Sequence, residues 1–288
     1  MVTLDQGGAG RWGLRLRPAA GPAARLAELT WVQRPPASAR APWRIVPDVH
    51  PHLIAHRMAD GHTSVVLVGP RSRFVDVSQA GRALTVGVRL LPGALPALLR
   101  EPAWALRDRA VSVADAAGAR TDRHLERIAG EDDPRAIERA LLDLLTELGR
   151  DRGPDWRARG FASLALAPAV GTPSSGATRR GDSPRATRVD PSVCEAAALL
   201  GVSERALRDA CRSELGLRPK EAQRIARLHR ALTLGLSGHA DADAAAGAGY
   251  ADQAHFIREC KSLLGATPKA FRERAVAESF KTSSLGPP

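Results

Sequence analysis

Along the first 110 residues short apolar runs alternate with Pro and Gly, the pattern of strands joined by turns. Leu84, Val86, Val88 and Leu90 occupy every second position of Arg82 to Leu91, which places them on one face of a half-buried strand. Comparable runs predict strands over Leu26 to Gln33, His52 to Arg57 and Ser64 to Val68. Pro92-Gly93 ends the last of these, and Leu95, Leu98 and Leu99 predict a short helix beyond it. From Thr121 the period becomes helical, with Ile128, Ile137, Leu141, Leu144, Leu145 and Leu148 at three- and four-residue steps. Asp133 before Pro134 predicts a helix start, because Pro at the first helical position gives up an N–H that has no partner there anyway. Trp156, Phe161, Leu164 and Leu166 predict a helix within Asp155 to Ala167 that packs back onto the C-terminal residues.

From Gly171 to Arg188 the composition turns to Gly, Pro, Ser, Thr and Arg, too poor in apolar surface to fold, which predicts a flexible basic linker. The fold class expected is therefore α+β: a β-rich mixed domain over 1–150 for sensing or dimerisation, a partly helical segment and linker over 151–188, an all-α domain over 189–274, and a disordered tail over 275–288.

The C-terminal third contains an internal repeat. The tract Leu207-Arg208-Asp209-Ala210-Cys211-Arg212-Ser213-Glu214-Leu215-Gly216 aligns with Phe256-Ile257-Arg258-Glu259-Cys260-Lys261-Ser262-Leu263-Leu264-Gly265, and Pro219-Lys220 aligns with Pro268-Lys269. Each copy has the parts of a helix-turn-helix. In the first, Pro191 to Leu200 predicts a helix with Val193, Ala197 and Leu200 inward, Gly201 predicts a left-handed turn, and Ser203 caps the next helix. In the second, Gly249 takes the turn, Asp252 the cap, and Phe256 the core. Gly216 and Gly265 end the second helix of each unit. Between the units, Ile225, Leu228, Leu232 and Leu236 form one stripe of a helix running from Lys220 to about Leu236, a rigid spacer. The entry helix of the second unit, Ala240 to Gly247, has Asp241 and small Ala residues where larger aliphatics would pack, and Gly247 costs it about 1 kcal/mol relative to Ala, so a marginal helix is expected.

The pattern Ala197-x2-Leu200-Gly201-Val202-Ser203-x-Arg205-x-Leu207, then Leu215-Gly216-x2-Pro219-Lys220, Arg227-Leu228-x2-Ala231, Gly249-Tyr250-x-Asp252-Gln253-x-His255-Phe256-x-Arg258-x2-Lys261 and Gly265-x-Thr267-Pro268-x3-Arg272 resembles the AraC/XylS family of bacterial transcription regulators. The N-terminal part is similar, more weakly, to a domain found ahead of such modules, through Trp31, Pro47-Asp48, Gly69-Pro70-Arg71 and Gly87-Val88-Arg89-Leu90-Leu91-Pro92-Gly93. The resemblance implies a cytoplasmic, sequence-specific DNA-binding protein that reads two adjacent major-groove segments. It implies double-stranded DNA as partner, with RNA polymerase, a small-molecule effector and a second copy of the chain as further candidates. The chain departs from the family pattern at Cys211 and Cys260, where a bulky aromatic is usual, and at Asp209, where a basic residue is usual.

The reading helices then present Ser203, Glu204, Arg205, Arg208 and Arg212 from the first unit, and Gln253, Ala254, His255, Arg258 and Lys261 from the second. Gln253 and Arg258 suit base contact, since Gln pairs with adenine and Arg with guanine through two hydrogen bonds in the major groove. Lys220, Lys269 and Arg272 suit either phosphate contact or charge compensation at a helix end.

A net charge of +11 suits a polyanionic partner, but residues 189–274 hold 13 basic against 11 acidic residues while 151–188 hold seven against three, so much of the excess lies outside the reading module. Aromatics are only 4% of the chain, so its cores are built from Ala, Leu and Val, which favours helices. Cys194, Cys211 and Cys260 have no CxxC spacing and read as buried small hydrophobes. His50, His52, His56 and His62 cluster, and the His-x-His spacing puts two imidazoles on one strand face, as a divalent metal would need, yet no Cys or Glu completes a set and Pro51 interrupts the strand; no metal or cofactor is expected. No apolar run approaches the 18 residues of a membrane span, and no membrane partner is expected. The absence of a Gly-x-Ser-x-Gly elbow, a phosphate loop and a zincin helix argues against an enzyme. An alternative from another class is a degenerate module acting as a ligand- or protein-binding adaptor without sequence-specific DNA binding, suggested by Asp209 and the thin second unit.

Overall fold

The structure, a computed structural model, describes residues 15–35, 43–150, 153–166 and 190–278. Alternating apolar residues in the N-terminal half build a six-stranded antiparallel sheet, and the helical periods that follow cover one of its faces. The strands are β1 (Arg15–Pro18), β2 (Ala27–Gln33), β3 (Trp43–Ile45), β4 (His52–Met58), β5 (Thr63–Val68), β6 (Val75–Val77), β7 (Arg82–Leu90) and β8 (Ala110–Ser112). Their order in the main sheet is β1-β2-β7-β4-β5-β8, and β3 and β6 form a separate two-stranded ribbon.

Short helices α1 (Leu95–Leu99) and α2 (Val113–Ala117) precede α3 (Asp122–Ala129) and α4 (Pro134–Leu148). Leu84, Val86, Val88 and Leu90 are all buried and pack with Ile137, Leu141, Leu144 and Leu145 of α4 in one core, so the period-two and period-3.6 stripes meet face to face. Asp133 caps α4 by accepting from the Arg135 and Ala136 N–H groups, with Pro134 at its first position. Trp31, Ile54 and Val68 form a smaller cluster on the other face of the sheet.

The C-terminal half is helical: α5 (Trp156–Leu166), α6 (Val193–Leu199), α7 (Glu204–Ala210) continued by a π-helical turn Cys211–Leu215, α8 (Pro219–Leu236), α9 (Asp241–Ala248), α10 (Gln253–Leu264) and α11 (Pro268–Glu278). Helix α5 packs back as expected, but through Ala158, Phe161, Ala162 and Ala165, which share a buried cluster with Ala196, Ala197, Leu207 and Cys211, while Trp156 is exposed because the helix turns its first position outward. The tail expected to be disordered from residue 275 instead begins inside α11, which runs to Glu278, because the helix that starts at Pro268 continues past the matched pattern; the expected linker over 171–188 and residues 279–288 lie outside the described residues. No helix among the described residues is long and apolar enough to cross a membrane.

The two halves share buried surface. Val46 and Val49, which flank Pro47 and Asp48, enter the two helical clusters separately: Val49 joins that of α6 and α7, Val46 that of α9 and α10. Between them the Pro47 carbonyl accepts from buried His229 Nε2 of α8 at 2.7 Å. Next to it, Asp48 accepts from the His50 backbone N–H at 3.0 Å and from His50 Nδ1 at 2.8 Å, with Arg89 Nη2 3.4 Å and His52 Nε2 3.5 Å away. Arg89 is the permanent cation of this cluster, and its guanidinium faces the Asp48 carboxylate beside the His50 and His52 rings.

Burial pushes the Asp48 carboxyl up, but Arg89, His50 and the hydrogen bonds from His50 and His52 prevail and hold it well below its ordinary 3.8. Burial lowers His229 below its ordinary 6.5; Asp48 and the Pro47 carbonyl oppose this, while Arg89 and His50 reinforce it. Above pH 6.5 the imidazole is neutral in both the folded and the unfolded chain. Below it the unfolded chain takes up a proton that the folded chain refuses, so stability declines on acidification. A further decline starts below pH 3.8, where the unfolded chain protonates the Asp48 carboxyl and the folded chain still holds it ionised. The melting temperature is therefore expected to fall between about pH 7 and about pH 5, and His229→Gln, which keeps a donor for the Pro47 carbonyl, flattens that slope when melting is followed by calorimetry. An unchanged slope in the variant removes His229 from this account.

Candidate nucleic-acid interface

Each helical pair begins with its cap. Ser192, not anticipated from the sequence, caps α6 in a reciprocal box: its hydroxyl accepts from Glu195 N–H at 3.2 Å and Glu195 Oε2 accepts from Ser192 N–H at 2.6 Å. The Ser-x-x-Glu spacing at 192–195 was the available signal. Ser203 Oγ accepts from Ala206 N–H at 3.1 Å and Asp252 Oδ1 from His255 N–H at 2.6 Å, so both reading helices start on the residues their sequences assign. The turns before them use Gly201 at φ 63° and Gly249 at φ 85°, a region where a Cβ is strained.

The burial pattern sorts each reading helix into two faces. In α7 and its π-helical continuation Leu207, Ala210, Cys211 and Leu215 are buried, while Arg205, Arg208, Asp209 and Arg212 are exposed. In α10 Phe256, Cys260, Leu263 and Leu264 are buried, while Gln253, Ala254, Arg258 and Lys261 are exposed. Ser203 is exposed at its cap; Glu204 and His255 are half-buried. Lys220 and Lys269 are exposed in the first turns of α8 and α11. A groove of about 750 Å³ lies beside the first reading helix, with Ser192, Glu204, Arg208, Arg212 and Lys220 among its walls.

Local pairing modifies several of these groups. Glu204 accepts from Arg208 one turn on, and Arg205 Nε lies 3.8 Å from Asp209. The carboxylate of Asp209 thus faces a guanidinium on its own helix, which lessens the repulsion it would offer a phosphate. The Arg212 guanidinium lies 5.9 Å from the ring of Trp104 in the N-terminal half. His255 packs edge-on against Tyr250 at 5.2 Å, so part of its role is in the core of its own unit.

The structure corrects several expectations. Cys211 and Cys260 are buried, and burial pushes both thiols up to about 12, so they are inert at neutral pH; Cys194, in contrast, is exposed, because α6 turns that face outward. Charge compensation does not explain Lys220 and Lys269: each sits at a helix N-terminus, the positive end of the dipole, where a cation is unfavourable. Arg272 has a partner within the chain: its guanidinium pairs with Asp241 at the start of α9. That pair accounts for an acid where an aliphatic was expected, and Gly247 leaves room for Leu234, whose Cδ1 would lie 2.9 Å from an added Cβ.

Distant pairs that sequence reasoning missed tie the units to α8. Arg224 meets Glu259 of α10 with both oxygens, at 2.7 to 3.1 Å. Arg227 donates to buried Asp190 at 2.9 Å, Arg230 pairs with the same carboxylate and donates to the Ala165 carbonyl at 2.8 Å, and Gln223 donates to the Pro191 carbonyl at 2.6 Å. No spacing rule signals partners more than 30 residues apart.

Ser203→Ala and Asp252→Ala are each expected to destabilise the folded chain by about 1 kcal/mol in denaturant unfolding, since each removes a side-chain acceptor from a helix start. Ser203→Asp is expected to retain stability; a loss equal to that of the Ala variant would show that the cap bond is not what matters.

Residues 196–274 match a family described as a helix-turn-helix domain, and residues 13–112 match a domain of unknown function, DUF6597. A search of curated protein sequences returns no match. Among solved structures the chain is similar to ToxT from Vibrio cholerae O395, at 11% identity over 84% of this chain and 95% of that chain with a TM-score of 0.42. It is also similar to ToxT from Vibrio cholerae strain SCE256 bound to an unsaturated fatty acid, at 13% identity over 80% and 89% with a TM-score of 0.38. Likeness of that degree carries no argument about this chain; the matched segment, with its duplicated capped pairs, does. The C-terminal part of this chain is a helix-turn-helix domain, and it follows a segment that matches DUF6597.

Proposed function

We propose that the chain is a sequence-specific DNA-binding transcription regulator whose two helix-turn-helix units read adjacent major-groove segments of one duplex. The observation that carries this reading is the exposed face shared by the two copies of the repeat. Each presents a hydrogen-bonding cap and a row of long polar side chains: Arg205, Arg208 and Arg212 in one, Gln253, Arg258 and Lys261 in the other. Side chains of this kind lose little by leaving water only if a base edge or phosphate replaces it. Ser203, Glu204, Ala254 and His255 lie in the first turn of each reading helix, the part that reaches furthest into a groove in known helix-turn-helix docking. Lys220 and Lys269 add cations to helix N-termini, whose free N–H groups already favour phosphate.

With this role the chain has no need of catalysis, and double-stranded DNA is its partner. The N-terminal half supplies the surface for an effector, RNA polymerase or a second copy of the chain. In gel-shift titrations with duplex from the region upstream of the protein's own coding sequence, Arg258→Ala is expected to weaken cognate binding by about 1–3 kcal/mol while leaving binding to random DNA largely intact. Lys269→Ala is expected to weaken both alike. Equal losses on cognate and random DNA for Arg258→Ala contradict base reading, and no binding by the unmodified chain favours an adaptor role instead.

A further inference from the structure

Gly216 and Gly265 hold equivalent places in the repeat, each just beyond a reading helix and each left-handed, at φ 71° and 65°. Both abut the N-terminal half. A Cβ on Gly216 would lie 2.7 Å from the Ala103 carbonyl oxygen and 2.9 Å from Pro70 Cγ; one on Gly265 would lie 2.6 Å from the ring of Phe74. Left-handed backbone alone calls for Gly, but the contacts make these glycines docking points as well.

The contact at the second unit supplies hydrogen bonds as well as bulk. The last carbonyls of an α-helix lack partners within it, and residues just downstream normally provide them. Here Leu263 O accepts from the Phe74 backbone N–H at 3.0 Å, and Leu264 O accepts from Arg44 Nη1 at 3.0 Å. Arg44 is held for that purpose: its other nitrogens grip Asp76 at 2.6 and 2.8 Å, and its guanidinium lies 4.2 Å from the centre of the Phe74 ring. A cation at this point also faces the negative end of the α10 dipole. At the first unit, Arg107 meets both oxygens of Glu221, in the first turn of α8, at 2.8 and 3.1 Å. Between the two contacts run Val46, Pro47 and Val49, already seen to enter both helical clusters and bond His229.

From these contacts we infer that the N-terminal half sets the distance and angle between the two reading helices, with Arg44 and Phe74 as positioning residues for α10. The inference rests on the proposed DNA-reading function and adds a specificity to it: selection for one separation of the two half-sites. Two readers on one face of DNA need a spacing near one helical turn, about 34 Å, and each inserted base pair turns the second site by roughly 35°. A pair of helices held at both C-terminal ends cannot follow that rotation; a pair joined by α8 alone follows it in part.

The test starts from duplexes selected by the full-length protein out of a random library, then compares the selected site with versions carrying one or two base pairs inserted between its halves. The unmodified protein is expected to lose roughly tenfold or more in affinity per insertion, as when a half-site is mismatched. Arg44→Gln and Phe74→Ala are expected to cut that penalty to about threefold or less, while Arg44→Lys, which keeps the charge but not the fork that holds Asp76 and Leu264 O together, restores only part of it. An unchanged spacing penalty in variants that melt as cooperatively as the parent overturns the inference. If Phe74→Ala fails to fold, Arg44→Gln decides the matter alone. Selection of sites with a single conserved half also overturns it, without touching DNA reading by one unit. Failure to enrich any sequence overturns the functional proposal itself, and this inference with it.

Discussion

Burial of α8 along both halves of its length is the constraint on which the C-terminal architecture depends. Its N-terminal half places Ala222 and Ile225 in the cluster of the first unit, and its C-terminal half places Leu228, Ala231 and Leu232 in that of the second. One helix of 18 residues, about 27 Å long, therefore lies in two cores, and neither unit can rearrange without disturbing the other. The polar side of the same helix repeats the arrangement: Arg227 and Arg230 hold Asp190 near the start of the first unit, and Arg224 holds Glu259 in the second reading helix. Because Arg keeps its charge and offers a rigid fork, these pairs add direction to the apolar contacts.

The third side of α8 faces the N-terminal half through His229. That makes the helix a junction between the β-rich domain and both reading units. The substitutions that distinguish this chain from the family pattern look different in this light. Cys211 is smaller than the usual aromatic, yet its cluster also contains Phe161, delivered by α5 from outside the repeat. Asp209 is matched by Arg205 on its own helix, and Asp241 by Arg272. Cys211, Asp209 and Asp241 thus each have a neighbour that offsets the departure.

Local features of the chain were legible because they depend on a few neighbouring residues. Alternation set the strands to within a residue or two: β2, β4, β5 and β7 fall where Leu26 to Gln33, His52 to Arg57, Ser64 to Val68 and Arg82 to Leu91 were expected. The caps at Asp133, Ser203 and Asp252 and the left-handed glycines at 201, 216, 249 and 265 follow from hydrogen-bond reach and the absence of a Cβ. The repeat then identified two equivalent units with one buried and one exposed face each, since a 3.6-residue period assigns every position to a face.

What the sequence by itself determined, then, was four strands of the main sheet, the longer helices, the caps at Asp133, Ser203 and Asp252 and the sidedness of the reading helices, all consequences of backbone geometry and burial over a few turns; the short strands β1, β3, β6 and β8 and the Ser192 cap came only with the structure. Only the tertiary structure decided which charges meet: Arg44 with the end of α10, Arg107 with Glu221, Arg224 with Glu259, Arg272 with Asp241. It also decided that Cys194 is exposed while its two counterparts are buried. An ion pair needs only two side chains brought within a few ångströms, and any Arg can serve any acid, so nothing in the order of residues singles out a partner until packing has chosen the neighbours.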